Sequence, residues 1–513
     1  MNVQGPLFPA EPEPGRPFAL QHPVQVTAIH RPGLRCSLAR PTWLGAAGAV
    51  MMAAGGSIPG SDFSLRRRGA WFFGAGPGTT VEREISTVVC LVGFAILVLA
   101  WLDLVRYLRT HRGTPTRRLV GVAAAWFTPF LVVAPMFSAD IYFYATEGRL
   151  VVSGLDPARV GPAALSSAAY RHLVSSVWLR TPSPYGPLDL ALNGAASWMG
   201  RTPLGTVIAL RVSALIGVSA AAAAIPTVAR SYGADPSTAL ALALLSPLAL
   251  FELVSAGHND AIMLGLMLVA LALARRGHPF LGVVVAGVGA AVKAPDLLAV
   301  GFIGWTWPGP SSSPMRRVQT TAISIATGLA ILAAAGAVSG FGFGWVANAV
   351  TQPGRIWSWL TPTDLAALAI SSIGHWLSFF RALALVRLIG AGLACAACGY
   401  FVLRAERLRL PVALGGAFFA VAVLSPALHP WYLLWGIACL AMVVERRQVA
   451  AVAVGSAIAA WMWLPDDGSL SVVLLRAALV FAVWVLWCAM ASRAGVGGSG
   501  REVVVGGADQ AWR

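Results

Sequence analysis

Along this chain apolar residues fall in unbroken runs of membrane-spanning length, separated by short arginine-bearing gaps, and do not alternate with polar ones. Runs at about 42–58, 85–106 and 119–137 come first. Others follow at about 203–230, 238–254, 260–274, 279–293, 296–308, 318–339, 383–403, 411–427, 431–444, 448–463 and 470–491. The pattern predicts an all-α, polytopic membrane protein with roughly 14 transmembrane helices. Residues 138–202 break it with a polar and aromatic excursion, expected to hold short amphipathic helices and no core of its own. That excursion closes on Thr-Pro-Ser-Pro-Tyr-Gly-Pro (181–187), where three prolines and a glycine forbid a continuous helix. A second aromatic stretch occupies 340–382. The membrane domain is thus expected over 41–493, between a proline-rich tail (1–40) and a glycine-rich flexible tail (494–513).

The arginines orient these runs. Arg109, Arg112, Arg117 and Arg118, then Arg275–Arg276, Arg316–Arg317, Arg404–Arg407–Arg409 and Arg446–Arg447, occupy alternate gaps, the positive-inside pattern. Both termini are then cytoplasmic, and 138–202 and 340–382 are extracytoplasmic; Arg66, Arg67 and Arg68 alone vote the other way. Composition agrees: 57% of residues are hydrophobic and 11% charged, against roughly 25% charged in soluble proteins. The net charge of +16 follows the gaps and is gathered into no basic face with interleaved aromatics, so no nucleic-acid partner is expected. Of six cysteines, Cys395 and Cys398 form a C-x-x-C inside an apolar run, a packing feature without a second pair. Residues 1–40 lack the apolar segment of a cleavable signal peptide.

On this register polar residues converge on the outer face. Asp140 sits at the lip of the third run, followed by Tyr142, Tyr144, Glu147 and Arg149. Tyr185 and Gly186 close the excursion; Glu252, His258, Asn259 and Asp260 form an outer turn; Arg355, His429, Trp431 and Tyr432 complete the set. Lys293, the only lysine among 37 basic residues, interrupts an apolar hairpin and needs a partner: Asp296, Glu252 or a bound phosphate. A carboxylate followed by aromatics and a cation suits chemistry at the membrane surface, and an interfacial loop with belt tyrosines is the plainer alternative. His258 and Asp260 lack the dense ligand set of a metal centre, so no cofactor is expected. No phosphate loop, G-x-S-x-G or H-E-x-x-H occurs, which argues against an ATP-driven pump or a serine hydrolase.

Four ordered pieces carry a resemblance: FSADIYFYATEGRLVVSGLDP (137–157), TPSPYGPL (181–188), LSPLALFELVSAGHNDAIMLGLMLVALAL (245–273) and AVKAP (291–295). Together they resemble the actinobacterial polyprenol-phosphate-mannose-dependent alpha-(1→6)-mannosyltransferases, over about 40–490. The resemblance implies a membrane glycosyltransferase with a GT-C-type bundle, a polyprenyl-phosphate sugar donor in the bilayer, and a glycolipid or lipomannan-type mannan acceptor. It implies that Asp140 is the base of an inverting transfer. Chemistry agrees, because a sugar hydroxyl needs its proton withdrawn as the new bond forms. A departing phosphate needs only cations, for which Lys293, Arg355 and Arg149 are the candidates. Tyr142, Tyr144, Tyr185, Trp357 and Trp359 are candidates to stack on sugars, and Glu147, His258, Asn259, Asp260, His429, Trp431 and Tyr432 to bind substrate. The alternatives are a secondary transporter or lipid flippase, a non-catalytic scaffold, or a transferase of lipid-linked arabinose.

Overall fold

The computed structural model describes residues 37–64, 78–176, 178–352, 354, 357, 360–373 and 377–462. Among them the fold is helical, with one isolated antiparallel bridge between Ser64 and Met136. The chain opens with α1 (Ala39–Ser57), α2 (Thr80–Thr110) and α3 (Arg117–Val132). The excursion follows as α4 (Asp140–Val152), a one-turn α5 (Ala168–Arg171) and α6 (Pro187–Gly200). Then come α7 (Pro203–Ser231), α8 (Pro236–Leu244), α9 (Pro247–Ser255, ending in a π-helical turn) and α10 (Asp260–Arg275). Next are α11 (Pro279–Val292), α12 (Leu297–Thr306), α13 (Pro314–Ser339), α14 (Gly344–Thr351) and α15 (Pro362–Ile373). The last are α16 (Phe379–Leu408), α17 (Leu410–Leu424), α18 (Pro430–Ala441) and α19 (Val449–Met462).

Local signals explain the boundaries. Thr79 and Glu82 form a reciprocal capping box at the start of α2, and Asp235 accepts the Thr238 amide at the start of α8. Proline stands within the first two positions of α6, α7, α8, α11, α13, α17 and α18, where its missing N–H costs no hydrogen bond.

Among the described residues α2, α7, α13 and α16 are long and apolar enough to cross a membrane, and α8 with α9 makes a fifth if the bent pair counts as one span. The other runs fold as shorter helices, and the run at 470–491, like Arg66–Arg68, residues 1–36 and residues 494–513, lies outside the described residues, while the last two positions of the expected tail 1–40 already belong to α1. The expected continuous run at 238–254 is instead bent by 51° at Leu245–Ser246, where Pro247 cannot donate the next helical hydrogen bond. The Ser246 hydroxyl accepts from Ala249 N–H and restarts the helix. Beyond the bend, the π turn carries Glu252 inward.

Three apolar clusters hold the described residues together, the smallest joining Leu190 of α6, Ala290 of α11, Leu332 of α13 and Trp345 of α14. The main core joins Phe94, Trp101, Phe130, Phe251, Phe418 and Trp461, and Trp101 donates to the Ala241 carbonyl at 2.8 Å. Contrary to expectation, the excursion has a core of its own: Ile141, Phe143, Leu150, Leu165, Tyr170 and Leu173 pack with Val207 and Leu210 of α7. Helix α4 is buried on all faces from Ile141 to Gly148, and the apolar residues it pools with its neighbours suffice for a cluster. Arg211 on α7 staples these layers, donating to the Leu131 and Val133 carbonyls at the end of α3 and to the Ser255 carbonyl on α9. Helix α16 shows Leu388, Leu393 and Leu403 more than half exposed, an apolar face suited to lipid.

Candidate active site

The site grows from the first turn of α4. The Asp140 amide donates to Ser138 Oγ at 3.2 Å, and the helix then brings Tyr144 and Glu147 to the Asp140 face by four- and seven-residue spacing. Tyr142 and Arg149 fall off that face. Tyr142 is buried in the excursion core, and the Arg149 guanidinium lies over the Tyr170 ring at 5.7 Å.

Helix α6 packs closely on α4 because Gly148 has no side chain; a Cβ there would overlap the Asn193 carbonyl. The close approach lets Asn193 Nδ2 donate to both Glu147 Oε2 (3.2 Å) and Asp189 Oδ2 (2.9 Å). Gly186, just before α6, donates its N–H to the Val292 carbonyl, which fixes Tyr185 beside the end of α11.

The α9–α10 turn supplies the centre. Gly257 has a φ of +67°, a left-handed conformation that glycine adopts without strain, and its missing Cβ leaves room for Ile141. His258, fully buried, lies between two carboxylates, with Nε2 3.1 Å from Glu252 Oε2 and Nδ1 3.7 Å from Asp140 Oδ2. Its ring stacks on Trp431 at 4.0 Å, and Trp431 stacks on His429 at 4.4 Å. Tyr144 OH is 3.3 Å from His258 Nδ1 and donates to Asn259 Oδ1 at 3.4 Å.

Lys293, following α11, completes the arrangement. Its Nζ donates to Asp260 Oδ2 at 2.6 Å and Asn259 Oδ1 at 3.3 Å, and lies 5.4 Å from the rings of both Tyr185 and Tyr432. Its partner is therefore Asp260, not Asp296 or Glu252. Trp435 Nε1 holds the other Asp260 oxygen at 2.8 Å, whereas Asp296 is packed against Gly289.

The electrostatics of the excursion follow from burial. Burial pushes the Asp140 carboxyl up to about 6, Lys293 pulls it back down, and Asp260 adds a further upward push. The Asp140 side chain keeps 22% of its surface exposed, so its desolvation is partial and a partner can reach it. Asp189 rises to about 7, chiefly from burial, with Asn259, Lys293 and Asn193 opposing. Glu147 rises well above the carboxylate range, first from burial and then from the Asp189 charge.

The structure thus brings together Asp140, Tyr144, Glu147, Tyr185, His258, Asn259, Asp260, Lys293, His429, Trp431 and Tyr432, and leaves Tyr142 and Arg149 outside. Arg355 and Trp359 lie outside the described residues. Sequence reasoning missed Asp189, Asn193 and Trp435. The four-residue spacing of Asp189 and Asn193, directly after the Tyr-Gly-Pro closure, was the available signal for two of them. Among the described residues no group of three or more His, Cys, Asp and Glu side chains is arranged to hold a metal ion.

Comparison with known proteins puts this chain in a family. Residues 42–309 match the model described as "Alpha-(1->6)-mannopyranosyltransferase, N-terminal domain", and residues 362–493 match "MptB C-terminal domain". A probable alpha-(1→6)-mannopyranosyltransferase of Mycolicibacterium smegmatis is 32% identical over 455 residues, 80% of each chain. Alpha-(1→6)-mannopyranosyltransferase A of Mycobacterium tuberculosis is 32% identical over 446 residues, covering 84% of this chain and 85% of its own. Alpha-(1→6)-mannopyranosyltransferase B of Corynebacterium glutamicum is 30% identical over 455 residues, 79% and 74% of the two chains. No solved structure matches this chain. A match over more than half the chain, with relatives aligned along most of their length, shows that this protein belongs to the alpha-(1→6)-mannopyranosyltransferase family.

Proposed function

We propose that this protein moves mannose from a polyprenyl-phosphate donor to a hydroxyl of an alpha-(1→6)-mannan acceptor at the extracytoplasmic membrane face, with inversion, and that Asp140 is the base. The observation that carries this reading is a partly exposed carboxylate at a helix start, beside a buried cluster that holds the Lys293 ammonium. Asp140 accepts the proton of the acceptor hydroxyl as its oxygen attacks the anomeric carbon and the bond to the donor phosphate breaks. The leaving polyprenyl phosphate needs charge stabilisation and no proton. Two Lys293 donors are directed at Asp260 and Asn259, which leaves a third for a phosphate oxygen. Tyr185 and Tyr432, flanking that cation, offer faces on which a sugar can stack. A single carboxylate suffices for an inverting displacement, unlike the two needed by a retaining glycosidase.

The test is transfer of labelled mannose from polyprenyl-phosphate mannose to a short alpha-(1→6)-mannoside in membranes. Asp140→Asn is expected to lose transfer by about 10²–10⁴-fold, the usual contribution of a general base, with protein level unchanged. Full activity in that variant would remove Asp140 from the role, and movement of lipid without sugar transfer would favour a flippase.

A further inference from the structure

At the other end of the bundle lies a second polar cavity that the transfer reaction does not use. Helices α10, α11 and α12 all run between the two ends. Asp260, Lys293 and Asp296 mark the catalytic end, and Arg275, Pro279 and Trp307 mark the opposite one. The 16 residues of α10 alone separate them by about 24 Å at 1.5 Å per residue. There a cavity of about 540 Å³ opens among Tyr232, Arg275, Ile303, Trp307, Glu406 and Arg409, within the size range of small-molecule sites.

Its charges are arranged for an anion. Glu406 already has a cation, Arg317 Nη1 at 3.1 Å, and the same guanidinium donates to the Trp305, Gly309 and Pro310 carbonyls. Arg275 is aimed by its Nε hydrogen bond to Ser231 Oγ (3.1 Å) and by the Tyr232 ring, 4.6 Å from its guanidinium. Among the described residues neither Arg275 nor Arg409 forms an ion pair with a carboxylate. Arg409 also holds a backbone conformation of φ +70°, ψ 135°, a region nearly reserved for glycine. Such a conformation is strained and persists where the surrounding structure over-determines it. Beside the arginines the lining turns apolar: Trp307 packs with Phe280 (centroids 6.1 Å), and Phe280 and Leu281 are about half exposed. A cationic pocket next to an exposed apolar shelf fits a ligand with a phosphate at one end and hydrocarbon at the other.

We infer that this cavity binds the headgroup of an anionic phospholipid, with Arg275 and Arg409 on its phosphate and its acyl chains against Trp307 and Phe280. The bundle end that carries the arginine gaps is where basic pockets between membrane helices meet anionic headgroups. The inference is independent of the sugar-transfer chemistry.

The test uses the full-length protein in phosphatidylcholine nanodiscs with and without phosphatidylglycerol, reading retained lipid by native mass spectrometry and stability by thermal unfolding. The wild-type protein should retain phosphatidylglycerol over phosphatidylcholine and gain stability from it. R275Q/R409Q should weaken that preference roughly thirtyfold, since two surface arginines contribute about 1 kcal/mol each and 1.4 kcal/mol is tenfold. R276Q/R316Q removes the same charge from residues that do not line the cavity and should keep the preference. Both variants should unfold like the wild type in pure phosphatidylcholine. Equal loss in the two variants would reduce the effect to diffuse charge and overturn the site. Glycerol 3-phosphate or inorganic phosphate reproducing the stabilisation would likewise overturn it, in favour of a soluble anion.

Discussion

At the scale of single residues, the site is a set of charges held apart by burial and by aimed donors. With Asp140 as base, only the ionised carboxylate can accept a proton. Its carboxyl, pushed up to about 6, is then protonated and inactive below that pH. Transfer should rise as pH climbs through about 6 and level off above it, which a profile of kcat/KM against pH will show. In the Lys293→Ala enzyme the limb should move to higher pH, because Lys293 is the group that pulls Asp140 down. The same variant should lose stability by about 3–5 kcal/mol, since it leaves Asp260, less than 2% exposed, as an unpaired buried charge. Adding Asp260→Asn should restore folding but not donor use, as read by thermal unfolding beside the transfer assay. Recovery of both would make Lys293 a structural ion-pair partner only. That Lys293 needed a partner was legible in its being the one lysine. Which acid it takes was not, because Asp260, Asp296 and Glu252 belong to different elements and only their packing decides which one reaches the ammonium.

At the scale of elements, α4 and α6 act as one plate. The sequence marks both: α4 through the spacing of Asp140, Tyr144 and Glu147, and α6 through the proline at its start. Their distance is set by Gly148, and the shared donor Asn193 works only at that distance. Gly148→Ala should therefore cost about 1–3 kcal/mol of stability, the usual cost of overpacking, and depress turnover further by displacing Asp140. Unfolding in detergent and the transfer assay measure the two effects; an unchanged protein would mean that the helices yield freely. The α8–α9 pair teaches a different lesson. Its residues read as one apolar run because hydropathy is blind to direction, and only Pro247 hinted at the bend that carries Glu252 and His258 inward.

At the scale of the molecule, Asp140 and the arginine-rich turns occupy opposite ends of the bundle, which makes the orientation testable. In a cysteine-free background Ser166→Cys, in the excursion, should react with an impermeant maleimide on intact cells. His278→Cys, in the Arg275–Pro279 turn, should react only after permeabilisation. Both side chains are exposed, so access to solvent limits neither. The reverse pattern would put the catalytic end in the cytosol and defeat extracytoplasmic transfer.

The membrane character and the helical class were determined by the sequence alone, together with the approximate position of most helices among the described residues. Hydropathy and charge act locally, and each run reports its own solvent. Tertiary structure alone decided that the excursion has a core, that Asp260 takes Lys293, and that Asp189 and Asn193 join the site while Tyr142 and Arg149 leave it. Those outcomes depend on where side chains from distant segments meet, and no local pattern encodes a distance across the bundle.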